Sequence, residues 1–195
     1  MAIDATMVKQ LREKTGAGVM DCKRALEEAG GDYAKAEEVL VRKGFDIAKK
    51  KSERATAQGR IGTYLHATGK VAALVEVNCE SDFVAMNEGF VQFAKDLSMQ
   101  VAAMNPIALT REDVPKDLVE KEKAFWREKH AGQPADAVDK IIEERLSKFY
   151  EEKCLLEQRF IKDETLTIQQ LVTAMIAKTG ENCRIKRFVR FAIER

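Results

Sequence analysis

Three observations in the sequence predict an α+β fold. Over most of the 195 residues, apolar side chains recur at the spacing of amphipathic helices. Two stretches, 60–66 and 71–77, flank a Thr68-Gly69 turn, which is typical of a β-hairpin. Apolar and polar residues alternate again over residues 185–193, which predicts a last strand. Few strands among many helices indicate a small antiparallel sheet covered by helices.

Three short helices are predicted at the N-terminus. Apolar spacing and glycine-containing turns indicate helices over residues 6–15, 19–29 and 32–44, with Asp32 as the N-cap of the third. A bundle of about 45 residues is marginally stable alone, so we expect it to accompany a larger domain.

A change in composition marks the predicted domain boundary. Residues 46–56 are dense in charge and lack an apolar period, which indicates a linker or an exposed helical neck. The predicted organisation is a three-helix module at residues 1–50, a linker at 51–57, and an α+β core at 58–195.

The strand-to-helix corner after the hairpin raises the main question about function. Ser81 fits an N-cap, and Asp82 follows in the first turn, where the helix dipole favours a negative charge. Apolar spacing extends this helix to Met104. Phe83 has two interpretations: it begins the buried face, or it protrudes past the helix end into another protein. Periodicity alone leaves both open.

The remaining elements are mostly helical. Two antiparallel helices are expected on either side of a turn at residues 130–134, and Thr167 with Gln170 forms a capping box that opens a helix ending at Gly180. The side chains expected to be buried in the antiparallel pair are Leu118, Phe125, Trp126, Val138, Ile141, Ile142, Leu146 and Phe149.

Composition excludes several classes of protein. The formal net charge of +1 gives no overall attraction to phosphate backbones, so we expect no direct nucleic-acid binding. No apolar run reaches the ~18 residues of a membrane span, and the first residues lack a signal-peptide pattern, which predicts a cytoplasmic protein without membrane attachment. The four cysteines are widely spaced, which indicates free thiols and no metal site.

A search for catalytic motifs yields little. The two histidines, His66 and His130, lie beside no nucleophile motif, and no phosphate-binding glycine loop is present, so we expect neither a cofactor nor an enzyme. Two rival hypotheses remain. Cys79 could be a reactive thiol, although the adjacent Glu80 disfavours a thiolate. RNA or the ribosome could bind the basic residues of the last strand, Arg184, Lys186, Arg187 and Arg190.

Three segments carry a resemblance to a known family. Residues 11–26 are LREKTGAGVMDCKRAL, residues 76–85 are EVNCESDFVA, and residues 148–162 include KFYEEKCLLEQ followed by Phe160-Ile161-Lys162. In this order they resemble the translation elongation factor Ts family. The resemblance implies a guanine-nucleotide exchange factor for elongation factor Tu, which binds GDP-bound and nucleotide-free Tu and makes no covalent bond.

The resemblance also implies the partner-binding residues. An N-terminal module similar to a ubiquitin-associated domain docks on the nucleotide domain of Tu, which by position involves Leu11, Val19, Met20 and Lys23. The core presents the pair Asp82 and Phe83, flanked by Ser81 and Val84, and their intrusion disturbs the magnesium site of Tu and loosens GDP.

The chain departs from the family pattern at two residues and in the number of its core halves, and the second departure predicts how it assembles. Ser81 stands where Thr is usual and keeps the capping hydroxyl, and Met86 replaces a usual basic residue. Longer members carry two related core halves, one with a Tyr-x-His hairpin and one with the Asp-Phe corner. This chain has room for one half, in which Tyr64 and His66 lie on the hairpin before the corner. We therefore expect a homodimer with paired sheets, in which one subunit supplies Phe83 and the other His66.

Overall fold

The computed structural model describes residues 3–193 and confirms the α+β class. Its elements in chain order are α1 (Ala5–Thr15), α2 (Val19–Glu28), α3 (Tyr33–Lys51), β1 (Gln58–Leu65), β2 (Val71–Cys79), α4 (Asp82–Met86), α5 (Glu88–Met104), α6 (Lys116–Lys129), α7 (Ala135–Lys153), β3 (Arg159–Phe160), β4 (Asp163–Thr167), α8 (Ile168–Thr179) and β5 (Arg184–Ala192). None of these helices is long and apolar enough to cross a lipid bilayer.

The described residues divide into two compact units. The first comprises the residues up to Gly62 together with Glu76–Lys95 and Gln170–Lys186, and the second comprises Thr63–Val75, Asp96–Gln169 and the residues from Arg187 onward. Each of β1, β2 and β5 has residues in both units. The predicted division at residues 51–57 stays a prediction.

The three N-terminal helices form as expected, around a small apolar core in the first unit. Asp4 caps α1 by accepting from the Met7 N–H at 2.8 Å, and Gly16 ends it in the left-handed conformation that glycine adopts without strain. Side chains from all three helices are buried together: Val8, Leu11, Cys22, Ala25, Leu26, Ala36 and Val39.

Helix α3 is longer than predicted. The expected end at Gly44 is wrong, since the helix continues to Lys51 and the glycine serves packing instead. A Cβ atom at Gly44 would lie 3.2 Å from Cγ2 of Thr173 in α8, so the missing side chain allows close approach of α8. The Lys51 ammonium also donates to the carbonyl of Gly180, just after α8.

The predicted hairpin and last strand both form, and β1, β2 and β5 make a three-stranded sheet in that order. Strands β3 and β4 pair antiparallel in a second, two-stranded sheet. In β5, Ile185 is buried, whereas Val189 and Phe191 are exposed, as is Ile193 just after the strand. The alternation that predicted the strand therefore ends in apolar side chains that the described chain covers only in part.

The helix expected from Ser81 to Met104 is two helices. Asn87 is extended (φ −64°, ψ 131°), and its N–H ends α4 by donating to the Val84 carbonyl at 3.0 Å. The Asn87 side chain then accepts from the Gly89 N–H at 2.9 Å and opens α5. The single long helix was wrong because one asparagine ends α4 and caps α5.

The helical pair α6 and α7 is present, but most of its predicted burial is wrong. No residue of α6 is buried, Phe125 is exposed, and Ile142 is the one buried residue of α7. Two helices that cover mainly each other leave their apolar side chains half in solvent. Trp126 instead makes cation–π contacts. The guanidinium of Arg145 lies 4.3 Å from the ring centre, and the ammonium of Lys129 lies 4.8 Å from it.

Candidate functional site

The corner between β2 and α4, in the first unit, has the predicted cap. Ser81 is extended, and its hydroxyl oxygen accepts from the Val84 N–H at 3.3 Å. Asp82 is exposed in the first turn, where its charge faces the positive end of the helix.

Phe83 is the most exposed large apolar side chain of this corner. Its exposed fraction is 80%, while the next two residues, Val84 and Ala85, are buried and fix α4 to the unit. The interpretation of Phe83 as the start of the core face is therefore wrong. The break at Asn87 separates it from the buried face of α5.

A residue that the sequence analysis missed holds this corner. Oε2 of Glu181 accepts from the N–H groups of Glu80 at 3.1 Å and Ser81 at 3.0 Å. Oε1 of the same carboxylate accepts from the Ser81 hydroxyl at 2.6 Å. Glu181 lies in the loop between α8 and β5, and no local pattern in the sequence links it to a residue 100 positions earlier.

The cysteines near the corner are thiols suited to packing. Cys79 and Cys183 are buried and free. Burial raises the pKa of Cys79, and the Glu181 carboxylate raises it further; burial also raises the pKa of Cys183 to about 11. A raised pKa suppresses the thiolate, and the Cys79 thiol donates to the Ser81 carbonyl at 3.1 Å. These properties oppose the hypothesis of a reactive Cys79.

The second predicted site, on the β1–β2 hairpin, lies in the second unit. The Tyr64 hydroxyl is 3.2 Å from Nδ1 of His66, and their ring centres are 6.2 Å apart. Both side chains line a mainly apolar cavity of about 360 Å³, together with Met99, Ala102 and Ile161.

The four residues predicted on the N-terminal module differ in accessibility. Met20 is 62% exposed, and Val19 and Lys23 are also exposed, so the start of α2 presents a small apolar patch beside a cation. Leu11 is completely buried between the three helices. In that packing the Leu11 side chain is not accessible to a partner.

Of the four basic residues singled out in β5, Arg184, Lys186 and Arg187 are exposed, whereas Arg190 is half-buried. Nε of Arg190 donates to the Ala102 carbonyl at 3.0 Å, so its guanidinium is engaged within the second unit. Across residues 3–193, no group of three His, Cys, Asp or Glu side chains could hold a metal ion.

Comparisons with known proteins agree with the resemblance in the sequence. Residues 31–195 match the family model described as Elongation factor TS. The protein named Elongation factor Ts from Nitratidesulfovibrio vulgaris is 53% identical, over 99% of this chain and 98% of its own length. Proteins of the same name from Carboxydothermus hydrogenoformans (51%; 98% of this chain, 89% of the relative) and Fervidobacterium nodosum (50%; 99% of each) are similarly close.

Proposed function

The chain belongs to the elongation factor Ts family and is a guanine-nucleotide exchange factor for elongation factor Tu, and we propose that Phe83 is the residue that drives GDP from Tu. The observation that carries this proposal is an aromatic ring with 80% exposure on a helix whose next two residues are buried. Aromatic side chains are enriched at the buried centres of protein interfaces, so a ring that its buried neighbours fix in solvent is suited to insert into a partner.

The chemistry of the partner explains how a ring can act. In a GTPase with a phosphate-binding loop, Mg²⁺ bridges the phosphate oxygens and protein ligands and neutralises their charge. A ring inserted near the metal displaces it sterically, and the exposed Asp82 beside the ring brings a competing negative charge. The diphosphate is then held less tightly, with no bond made or broken by this chain. By reciprocity, returning nucleotide weakens the binding of the factor to Tu by the same factor by which the factor weakens nucleotide binding.

Magnitudes require more than one contact. Accelerating release about ten-thousandfold needs roughly 5.5 kcal/mol of differential binding, whereas burying one Phe contributes about 1.5–3 kcal/mol. We propose that the remainder comes from Val19, Met20 and Lys23 on the N-terminal module and from Tyr64 and His66 on the hairpin.

In this proposal residues 1–50 dock on Tu, residues 51–57 are a linker, and residues 58–195 form the core that carries the corner. Ser81 and Val84 act by holding Phe83.

We further propose that the factor is a homodimer in the cytoplasm, joined through the sheet. Several apolar side chains of the second unit are exposed on or beside the sheet. The exposed fractions are 69% for Leu65 in β1, 66% for Phe191 in β5 and 73% for Ile193 just after β5. Leu74 in β2 and Val189 in β5 are also exposed. Covering each such side chain contributes about 1.5–3 kcal/mol, so a second copy of the same face is a self-complementary partner. Each Tu would then meet Phe83 of one subunit and His66 of the other. RNA binding through β5 has no support from the relatives.

The wedge is tested by the release of fluorescent GDP from Tu. We expect Phe83→Ala to lower the stimulated rate by about 10- to 100-fold, which corresponds to the loss of roughly 1.5–3 kcal/mol. Phe125→Ala is the matched control, because Phe125 is also an exposed phenylalanine but lies on the helical pair. Equal stimulation by wild type and Phe83→Ala would refute the wedge.

The dimer is tested by light scattering at micromolar concentration. Wild type should give about twice the chain mass of 21.9 kDa. Phe191→Asp should give the monomer mass, because it places a charge in the apolar contact, and Phe125→Asp should leave the dimer intact. A monomer that stimulates GDP release at the full rate would contradict the shared site.

A further inference from the structure

We propose that Glu181 is a positioning residue for Phe83: its carboxylate holds α4 so that the ring meets Tu already in its working orientation. This inference rests on the proposed function of Phe83 and adds a residue from a distant loop. The Glu181 carboxylate accepts three hydrogen bonds from the two residues that precede α4. Glu181 does not contact Tu in this proposal and acts through Ser81.

A second carboxylate makes the reciprocal contact. Oε1 of Glu80 accepts from the Asn182 N–H at 2.6 Å, so each of the two segments donates backbone N–H to a carboxylate of the other. The Asn182 amide group is buried and donates to the carbonyls of Ser52 at 3.3 Å and Arg54 at 2.9 Å. Three chain segments, 52–54, 80–81 and 181–182, are therefore joined at the corner.

Helix α4 needs this support because it is short. A helix of five residues cannot stabilise itself, since nucleation of the first turn is unfavourable and few bonds follow. Its apolar anchors are limited to Val84 and Ala85, and its exposed ring contributes nothing to the core. Its N-terminal hydrogen bonds therefore act together with these two anchors to set the orientation of α4.

The Ser81 hydroxyl transmits the constraint. By donating its proton to Glu181, the hydroxyl directs a lone pair toward the Val84 N–H, which is the capping bond of α4. Charge-assisted bonds to a carboxylate are the stronger kind, and linked hydrogen bonds reinforce each other. Removing the carboxylate leaves two amide donors and the hydroxyl without their acceptor, and α4 gains alternative orientations. Because other surfaces of the factor still dock on Tu while Phe83 adopts its working orientation in only a fraction of the docked complexes, the maximal release rate should fall more than the affinity for Tu.

The test is a double-mutant cycle on GDP release from Tu, with Glu181→Ala, Phe83→Ala and the double variant, each measured over a range of factor concentrations. We expect Glu181→Ala to lower the maximal rate by about tenfold and the half-saturating concentration to change by less than about threefold. In the Phe83→Ala background, Glu181→Ala should change the rate by less than about twofold, because its only route of action has been removed.

Two conservative variants guard against a general loss of folding. Glu181→Gln keeps a carbonyl oxygen for the two amide donors and should recover the rate to within about threefold of wild type. Ser81→Ala removes only the hydroxyl arm, should lower the rate by about threefold, and should show the same dependence on Phe83. Glu157→Ala is the matched control, since Glu157 accepts two bonds from Arg111 in the second unit and has no link to the corner.

The outcomes separate this inference from the proposed function. If Glu181→Ala costs the same factor with and without Phe83, or has no effect, the positioning role is wrong while the wedge survives. If Phe83→Ala itself releases GDP at the wild-type rate, the wedge fails first and Glu181 has nothing to position. A loss that Glu157→Ala reproduces would mark a stability effect and would also overturn the positioning role.

Discussion

Helices α4 and α5 are neighbours in the chain but are held by different interactions. Phe83 on α4 is 80% exposed, whereas Phe90 on α5 is completely buried. A spacing of seven residues would place both rings on one face of a continuous helix. The break at Asn87 is therefore what allows one ring to be exposed while the other is buried. One phenylalanine belongs to the core, and the other is exposed to solvent, where we propose that a partner covers it.

The contrast teaches how an apolar ring can be held in solvent. Helix α5 is fixed by burial of apolar side chains, among them Phe90, Phe93 and Leu97. Helix α4 buries only Val84 and Ala85 and is held in addition by polar contacts at its N-terminus, with the Glu181 carboxylate at their centre. Hydrogen bonds to the backbone leave the side chains of the helix free for another protein, which packing against a core does not.

The largest expected effect comes from the buried ring. Phe90→Ala should lower the free energy of unfolding by about 3–5 kcal/mol, because it removes a large buried side chain and leaves a cavity. Phe83→Ala, measured by the same urea unfolding, should change it by less than about 0.5 kcal/mol. Comparable destabilisation by the two variants would show that Phe83 is part of the core.

Alkaline pH weakens the buried framework without involving the exposed ring. Burial raises the pKa values of Cys154 and Cys183 from 9.0 to about 11. Between these values the unfolded chain has lost thiol protons that the folded chain keeps, so stability is complete below pH 9.0 and falls as pH rises toward about 11. The loss is at most about 3 kcal/mol for each thiol.

Urea unfolding at about pH 8, 9, 10 and 11 measures this loss. Cys183→Ala and Cys154→Ala should each reduce the slope, and Phe83→Ala should keep it. A stability that stays constant up to about pH 11 would contradict the assignment of these thiols as protonated groups of the folded state.

The smallest effect concerns the boundary between the two helices. Asn87→Ala removes the acceptor for the Gly89 N–H and should lower the free energy of unfolding by about 1 kcal/mol. Thermal unfolding followed by circular dichroism measures this change, with Asn78→Ala as a control, because Asn78 makes a side-chain bond on β2 and caps no helix. Higher stability in Asn87→Ala would mean that α4 and α5 merge readily and that the asparagine is not what separates them.

Local signals in the sequence were sufficient for much of the fold. The capping serine at residue 81, the Thr68-Gly69 turn and the glycines that end α1 and α2 act over a few residues, and each was predicted correctly. The family signatures added the partner and the candidate site. These features are readable because a cap or a turn depends on neighbours in the chain.

What the sequence could not reveal depends on distant residues. Gly44 was wrongly predicted to end a helix. The glycine instead allows the close approach of α8, which lies far along the chain. The burial expected on α6 was wrong because a periodic pattern does not tell how much of a helix its neighbours cover. Glu181 was missed since its bonds to the corner span 100 residues. Only Asn87, a good capping residue two positions before Gly89, offered a local signal that could have been used.

The most direct test of the account is a structure of the factor bound to nucleotide-free Tu. We predict that Phe83, now 80% exposed, loses most of that exposure to Tu in the region where Mg²⁺ meets the phosphates, while Ser81 keeps its bond to Glu181. A complex in which the Phe83 ring remains in solvent, or turns into its own unit, would contradict the central claim.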